Sequence, residues 1–193
     1  MSGLACWSFL QTCALAGSQC LFQGESYIRQ VPAPMAIYPL RTVLGCGFHF
    51  CVALLLVFAL TMCVRSTPSP LAWLSLLPTL VLMAIFGWSV AVLFALANVR
   101  FRDTGHIAEI GLQALYFLTP IIYAPKILID KGLGWVISLN PVVPFINLIQ
   151  APVMDGGAPA LLAYASAALI AFGFLTVAGL VLRSEERQVI FYL

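Results

Sequence analysis

Between Leu71 and Ala97 the chain runs without a single charged residue. An uninterrupted apolar stretch of that length matches the roughly 20 residues a helix needs to cross a bilayer. Leu40–Val64 and Ala160–Leu182 are also long and apolar enough to span. Two further apolar segments, Leu4–Leu21 and Ile107–Tyr123, bring the expected count to about five. Leu4–Leu21 is diluted by Gln11, Thr12, Ser18 and Gln19. It lacks the basic start and small-residue cleavage site of a secretory signal, so it reads as a span packed against protein rather than facing lipid on all sides. Only 8% of the 193 residues are charged and 62% are hydrophobic, whereas soluble domains carry roughly 25% charge. The reading is an all-α integral membrane protein, a single transmembrane domain over residues 1–193.

The loops carry the orientation. If the chain crosses at each segment, one side holds Arg29, Arg41, Arg100, Arg102, Arg183 and Arg187, and the other Arg65, Lys126 and Lys131. Basic residues favour the cytoplasmic side, which places the C-terminus inside and the N-terminus outside. The odd span count leaves Met1 on the far side with no preceding topogenic element. Arg65–Pro70 is a short turn in which two prolines stop one helix and set the next. In Phe22–Pro39, Glu25 to Gln30 could form a short helix lying on the cytoplasmic surface, ended by Pro32 and Pro34. Lys126–Pro159 is long yet apolar, which suits short helices dipping back into the membrane, a geometry tolerated where protein buries the backbone or water reaches it.

Chemical motifs are few. No phosphate-binding glycine loop, HExxH, GxSxG or catalytic carboxylate pair occurs, and a net charge of +2 is too small for nucleic-acid binding. Cys6, Cys13 and Cys20 share one helix face at seven-residue spacing. Thiols so placed cannot bridge along their own helix, and Cys is at home as a small buried residue. His49 lies within the second span, where an ionisable group is a functional candidate. The competing reading is a neutral, hydrogen-bonded packing residue. His106 reads as an ordinary interfacial residue.

Asn98–Pro125 is the most informative stretch. Arg102 and Asp103 could pair at the membrane boundary, Asp103 or Thr104 could cap a helix beginning near Ile107, and Glu109 would suit its positive end. Thr119-Pro120 then breaks the span, because proline removes a helical hydrogen bond. Tyr116, Phe117 and Tyr123 bracket that break, as interfacial belt residues or as rings able to stack on sugars. In the last span Ala163, Ala167 and Ala171 form a small-residue stripe that would let another helix approach.

In order, the chain reads WSF, YIRQVPAP, PLR, ALANVRFRDTGH, LYFLTPIIY, SLNPVVPFINLIQAPV and RSEERQVIFYL. This series resembles the permease subunit of type-2 ATP-binding-cassette exporters, in the branch that moves lipid-linked polysaccharide such as O-antigen, capsule or teichoic acid. The resemblance covers nearly the whole chain. It implies a multi-pass protein of the bacterial cytoplasmic membrane, with the family's six spans reduced by the first. The chain starts where such a permease has its second span, which accounts for the odd count and implies a late start or a truncated copy.

By resemblance, Glu25–Pro34 is the coupling helix that docks on an ATPase subunit. Glu25, Tyr27, Ile28, Arg29, Pro32 and Pro34 belong to that segment. Pro125–Pro152 resembles the outer gate helices. His49, Tyr116, Phe117, Thr119, Pro120, Tyr123, Asn140 and Pro141 would line or gate the substrate path, and Arg100, Arg102 and Asp103 form a cytoplasmic turn. The chain would bind no cofactor itself, with ATP and magnesium on the partner ATPase. Two permeases and two ATPases, membrane lipid and a lipid-linked polysaccharide are the implied partners. An intramembrane enzyme of lipid-linked glycan metabolism, built around Asp103, His106 and Glu109, is the alternative from another class, and a non-functional truncated permease is a third.

Overall fold

A computed structural model describes residues 2–30, 34–64, 70–121, 132, 134–155 and 157–185. The elements are α1 (Ser2–Gln23), α2 (Glu25–Gln30), α3 (Ile37–Val64), α4 (Pro70–Arg100) and α5 (Thr104–Leu118). Then come α6 (Gly134–Leu139), α7 (Val143–Gln150), a π-helical turn at Ala151–Asp155, and α8 (Leu161–Glu185). No strand occurs among the described residues, and the protein is an all-α membrane protein.

Among the described residues three helices are long and apolar enough to cross a bilayer, those over Ile37–Cys63, Leu74–Arg100 and Leu161–Glu185. The other two expected spans differ for distinct reasons. α1 has the length, 22 residues, but its amides and hydroxyls lower its hydropathy. α5 has only 15 residues, a rise of about 22 Å, because it stops at Thr119 instead of running on to Tyr123.

α4 is the centre. Half of its apolar stretch (50%) is buried in the protein, against 22% for α3 and 17% for α8. α1 lies along α4 at close range because the contact is made of small residues. A Cβ on Gly17 would stand 2.7 Å from both Cα and Cβ of Ala91, and one on Gly87 would stand 3.0 Å from the Phe9 ring and 3.2 Å from Cys13 Sγ. Gly87, Ala91 and Ala95 thus form a small-residue seam at four-residue intervals, the pattern that lets helix backbones meet in a membrane. Around this seam Phe9 stacks on Phe50 (4.8 Å between centroids), Phe86 on Phe145 (4.7 Å), and Phe174 meets Phe86 edge-on (5.0 Å). Cys6, Cys13 and Cys20 are buried in these contacts as small apolar residues. The expectation that α1 packs against protein holds: Trp7, Phe9, Leu10 and Leu21 are all buried.

The alanine stripe of the last span admits another helix as expected, and the helices it admits belong to this chain. Ala167, Ala171 and Ala178 are fully buried within this chain, the first two in the same core as Phe86 and Phe145. The stripe is therefore filled by the chain's own helices and is not left open for a second copy. α8 is further fixed by Tyr164, whose hydroxyl donates to the Ser75 carbonyl and lies 3.2 Å from Thr79 Oγ1. Tyr164→Phe should lower the unfolding free energy by about 1 kcal/mol, the scale of interhelical hydrogen bonds in membranes. A melting temperature in detergent equal to that of the parent protein would contradict this.

The helices alternate in direction. Asn98 of α4 bonds Ser18 near the end of α1, Gly24 abuts Tyr38 at the start of α3, and Arg100 pairs with Glu185 of α8 at 3.2 Å. These groups mark one end of the bundle. Gly3 beside Gln150 and Ile121, and Tyr164 beside Ser75, mark the other.

Candidate functional site

At the Arg100 end, α1 turns through Gly24 directly into α2. The Gly24 carbonyl accepts from the N–H groups of Tyr27 and Ile28 at 3.0 Å each. A Cβ at Gly24 would stand 2.5 Å from the Tyr38 ring, so any larger residue in this turn would have to push that ring aside. The resulting six-residue helix matches the segment expected to form a surface helix. Its two described faces differ. Tyr27 is 65% exposed, while Ile28 is 8% exposed and packs in a cluster with Met35, Val92, Leu96 and Ala178. Ile28 was expected as an outward contact; it instead anchors α2 to α4 and α8, because an isoleucine facing that apolar cleft is removed from water. Glu25 and Arg29 lie in α2 and Pro34 is exposed just before α3. Pro32 lies outside the described residues, as do Arg65, Lys126, Lys131 and Arg187.

The turn from α4 to α5 is organised by a residue the sequence reading passed over. Asn98, 6% exposed, donates from Nδ2 to the Ser18 carbonyl at 2.9 Å and accepts at Oδ1 from the Gly105 N–H at 3.3 Å. One amide thereby joins α1, α4 and the start of α5. Asp103 does not cap α5 with its side chain, since its backbone is already helical (φ −84°, ψ −4°) rather than extended as side-chain caps require. The Thr104 hydroxyl points back to the Phe101 and Ala97 carbonyls, at 2.6 and 3.2 Å. Because α5 begins at Thr104, Glu109 falls beyond the first turn, where the helix dipole is weak. Arg102 and Asp103 are exposed and unpaired with each other; the ion pair among the described residues here is Arg100–Glu185. Arg100 and Glu185 are 58% and 28% exposed, so the pair contributes little.

At the opposite end the two proline signals meet. Thr119 is extended (φ −89°, ψ 129°), the conformation imposed on a residue before proline, and this ends α5. Its N–H reaches the Leu115 and Tyr116 carbonyls at 2.9 and 3.2 Å, and its hydroxyl donates to Leu115 at 2.7 Å. Asn140, 21 residues on, donates from Nδ2 to Thr119 Oγ1 at 2.7 Å and accepts at Oδ1 from the Val142 N–H at 3.0 Å. Both side chains are buried, Thr119 at 1% and Asn140 at 5% exposure. Pro141 follows, and α7 begins at Val143.

α7 is a short helix sunk in protein: Phe145, Leu148 and Ile149 are fully buried. This agrees with the short helices expected from the apolar loop. Around the break, Tyr116 packs on Trp7 of α1 (5.6 Å), and Phe117 is 65% exposed. Ile121 approaches Gly3 of α1, as do Ile146 and Gln150 of α7. Tyr123 and Pro125 lie outside the described residues.

His49 is not brought to this break. It sits midway along α3, exposed, with Nδ1 3.0 Å from the Gly45 carbonyl and its ring edge-on to Phe48. The bond to Gly45 fits the hydrogen-bonded reading of His49, while its exposure sets the ring on a groove between helices. A cleft of about 1100 Å³ between α1 and α3 is lined by His49, Arg41, Thr42, Ser8 and Thr12 among others.

A profile of the ABC-2 type transporter family matches residues 1–154, from α1 through α7. This chain belongs to the ABC-2 type transporter family. Two O-antigen export system permease proteins RfbA of Klebsiella pneumoniae are similar to it. One is 26% identical over 157 residues, 81% of this chain and 60% of that protein. The other is 26% identical over 147 residues, 76% of this chain and 56% of that protein. The chain therefore spans somewhat over half the length of these curated relatives. Within this ABC-2 transporter chain, the matched region includes α2, the Asn98 junction, and the Thr119–Asn140 contact, and α8 lies wholly beyond it.

Proposed function

We propose that the chain is a transmembrane subunit of an ATP-driven exporter that moves lipid-linked polysaccharide, of O-antigen, capsule or teichoic-acid type, across the bacterial cytoplasmic membrane. The single observation that carries the reading is the polar contact between Thr119 and Asn140, which ties a broken span to a short helix sunk in protein. Membership of the ABC-2 family and similarity to O-antigen export permeases support it. ATP and magnesium bind a separate ATPase subunit, and this chain holds neither. Two permeases and two ATPases form the assembly, and the Arg100 end of the bundle, with the C-terminus, faces the cytoplasm.

The mechanism follows from the placement of the parts. α2 and the Thr119 break stand at opposite ends of α1, separated by about 33 Å of helix. Closure of the ATPase loads the exposed Tyr27 face of α2. Ile28 passes the load to α4 and α8 through Val92, Leu96 and Ala178. α1 and α4 move together because their backbones touch at Gly17 and Ala91. The far end of α1 contacts α5 through Trp7 and Tyr116 and α7 through Gly3 and Ile146, so the displacement reaches the contact between Thr119 and Asn140 and opens the outer path.

The test is co-purification with the ATPase subunit, using Tyr27→Ala and Arg29→Glu. Each should weaken the permease–ATPase association about tenfold, equivalent to roughly 1.4 kcal/mol, while leaving the permease folded. Undiminished ATPase capture together with parental export by both variants would sink the docking role of α2.

A further inference from the structure

The groove between α1 and α3 has a graded chemistry. At the α2 end its wall carries Arg41, Thr42, Tyr38, Tyr27 and Gln23. Midway it carries His49 and Cys46, with Ser8 and Thr12 on the α1 side. Beyond Phe50 only apolar groups remain, among them Ala53, Leu56, Val57 and Leu60. Among the described residues no carboxylate pairs with Arg41, which is exposed at the mouth of the polar half.

The lengths of the two halves follow from helix rise. From Arg41 to His49 is about 12 Å along α3, and from His49 to Leu60 about 16 Å. The apolar half thus matches one leaflet of hydrocarbon, roughly half of a 30 Å core. A neighbouring apolar helix in this groove would bury Arg41 and His49 against hydrocarbon, at high desolvation cost. An amphiphile with an anionic head would leave Arg41 paired and would cover the apolar half.

We propose that this groove binds one bilayer phospholipid, its phosphate held by Arg41 and the flanking tyrosines and its acyl chains laid along Ala53, Leu56 and Leu60. Bilayer lipid is favoured over a long polyprenyl carrier because the apolar half accommodates one leaflet's length of chain. The site shares Tyr27 with the proposed ATPase-docking face but otherwise uses residues of α1 and α3 and none of the contact between Thr119 and Asn140, so lipid retention and ATPase capture are lost separately.

The experiment is phospholipid retention by the purified protein after extensive detergent washing, read by native mass spectrometry and by phosphate content, with re-addition of phosphatidylglycerol vesicles. The parent protein and Arg41→Lys should retain about one phospholipid per chain. Arg41→Gln and Ala53→Trp, which remove the head contact and fill the tail path respectively, should each cut retention at least fivefold. Arg102→Gln, an exposed cation at the same end but outside the groove, should retain lipid as the parent does. Three results would overturn the proposal: equal retention by Arg41→Gln and the parent, retention of lipid-linked glycan in place of phospholipid, or disulfide cross-linking between Leu56→Cys positions of two copies in the native membrane.

Discussion

Gly17→Val should abolish accumulation of correctly folded protein in the membrane. The Cβ alone would enter to 2.7 Å from Ala91 Cα and 3.1 Å from its carbonyl oxygen. Those are backbone atoms of the central helix, which no side-chain rotation can move aside. Overpacking by one or two methyl groups in a core costs about 1–3 kcal/mol, and here relief requires α1 to part from α4 along its length. Gly17→Ala should therefore destabilise measurably, and Gly17→Val should leave mostly degraded or aggregated chain after extraction. Gly173→Ala is the control: nothing lies within 4 Å of its Cβ, and alanine in a helix is favoured over glycine by roughly 0.5–1 kcal/mol. Should Gly17→Val elute as a monodisperse species and melt with the parent, the close seam between α1 and α4 is wrong.

Asn140→Ala is expected to have the largest effect on transport without preventing assembly. The substitution removes the donor to Thr119 Oγ1 and the acceptor of the Val142 N–H together. Leaving buried polar groups unmet costs about 1–3 kcal/mol, which here frees α7 from the end of α5. Export in cells should fall at least tenfold while ATP hydrolysis by the complex persists, since α2 and its anchor are untouched. Thr119→Val deletes the other partner and should act similarly. The double variant should be no worse than Asn140→Ala alone, because Thr119→Val removes only the contact the two share; a coupling on the order of 0.5–1.7 kcal/mol is expected in melting experiments. Full export by both single variants, or strictly additive losses, would dismiss the contact as the gate's fastening.

Much of the architecture was readable because hydropathy is a direct record of solvent. α3, α4 and α8 face hydrocarbon over much of their surface, so their sequences declare it. α2 was readable through its flanking glycine and prolines. One half of the outer contact was visible as the Thr119-Pro120 break, since a residue before proline leaves the helix, and the other, Asn140-Pro141, only through the resemblance. That they touch was not visible, because their separation in sequence says nothing of their separation in space.

The failures have a common cause as well. Ile28 was assigned outward by resemblance, yet a single aliphatic residue on a six-residue helix has no periodicity to reveal which way it faces. The alanines of α8 announced a close helix contact but not its partner, because an intrachain seam and an intermolecular one look identical in sequence. Asn98 hid among louder charges, although a lone amide at the end of a long apolar run was the signal that could have found it. The Gly87, Ala91 and Ala95 repeat was equally present and was overlooked in a run notable for lacking charge.

The polar character of α1 has a consequence for how the protein is made. The Ser18 carbonyl and Asn98, whose amide donates to it, are 80 residues apart in the chain. At about 5–20 residues per second, the ribosome delivers Asn98 roughly 4 to 16 s after Ser18. Throughout that interval α1 has been synthesised but lacks the seam and the amide that hold it. Such a helix must wait, at the translocon or with a chaperone, until α4 arrives. Timing of synthesis, as much as hydrophobicity, decides whether this helix joins the bundle.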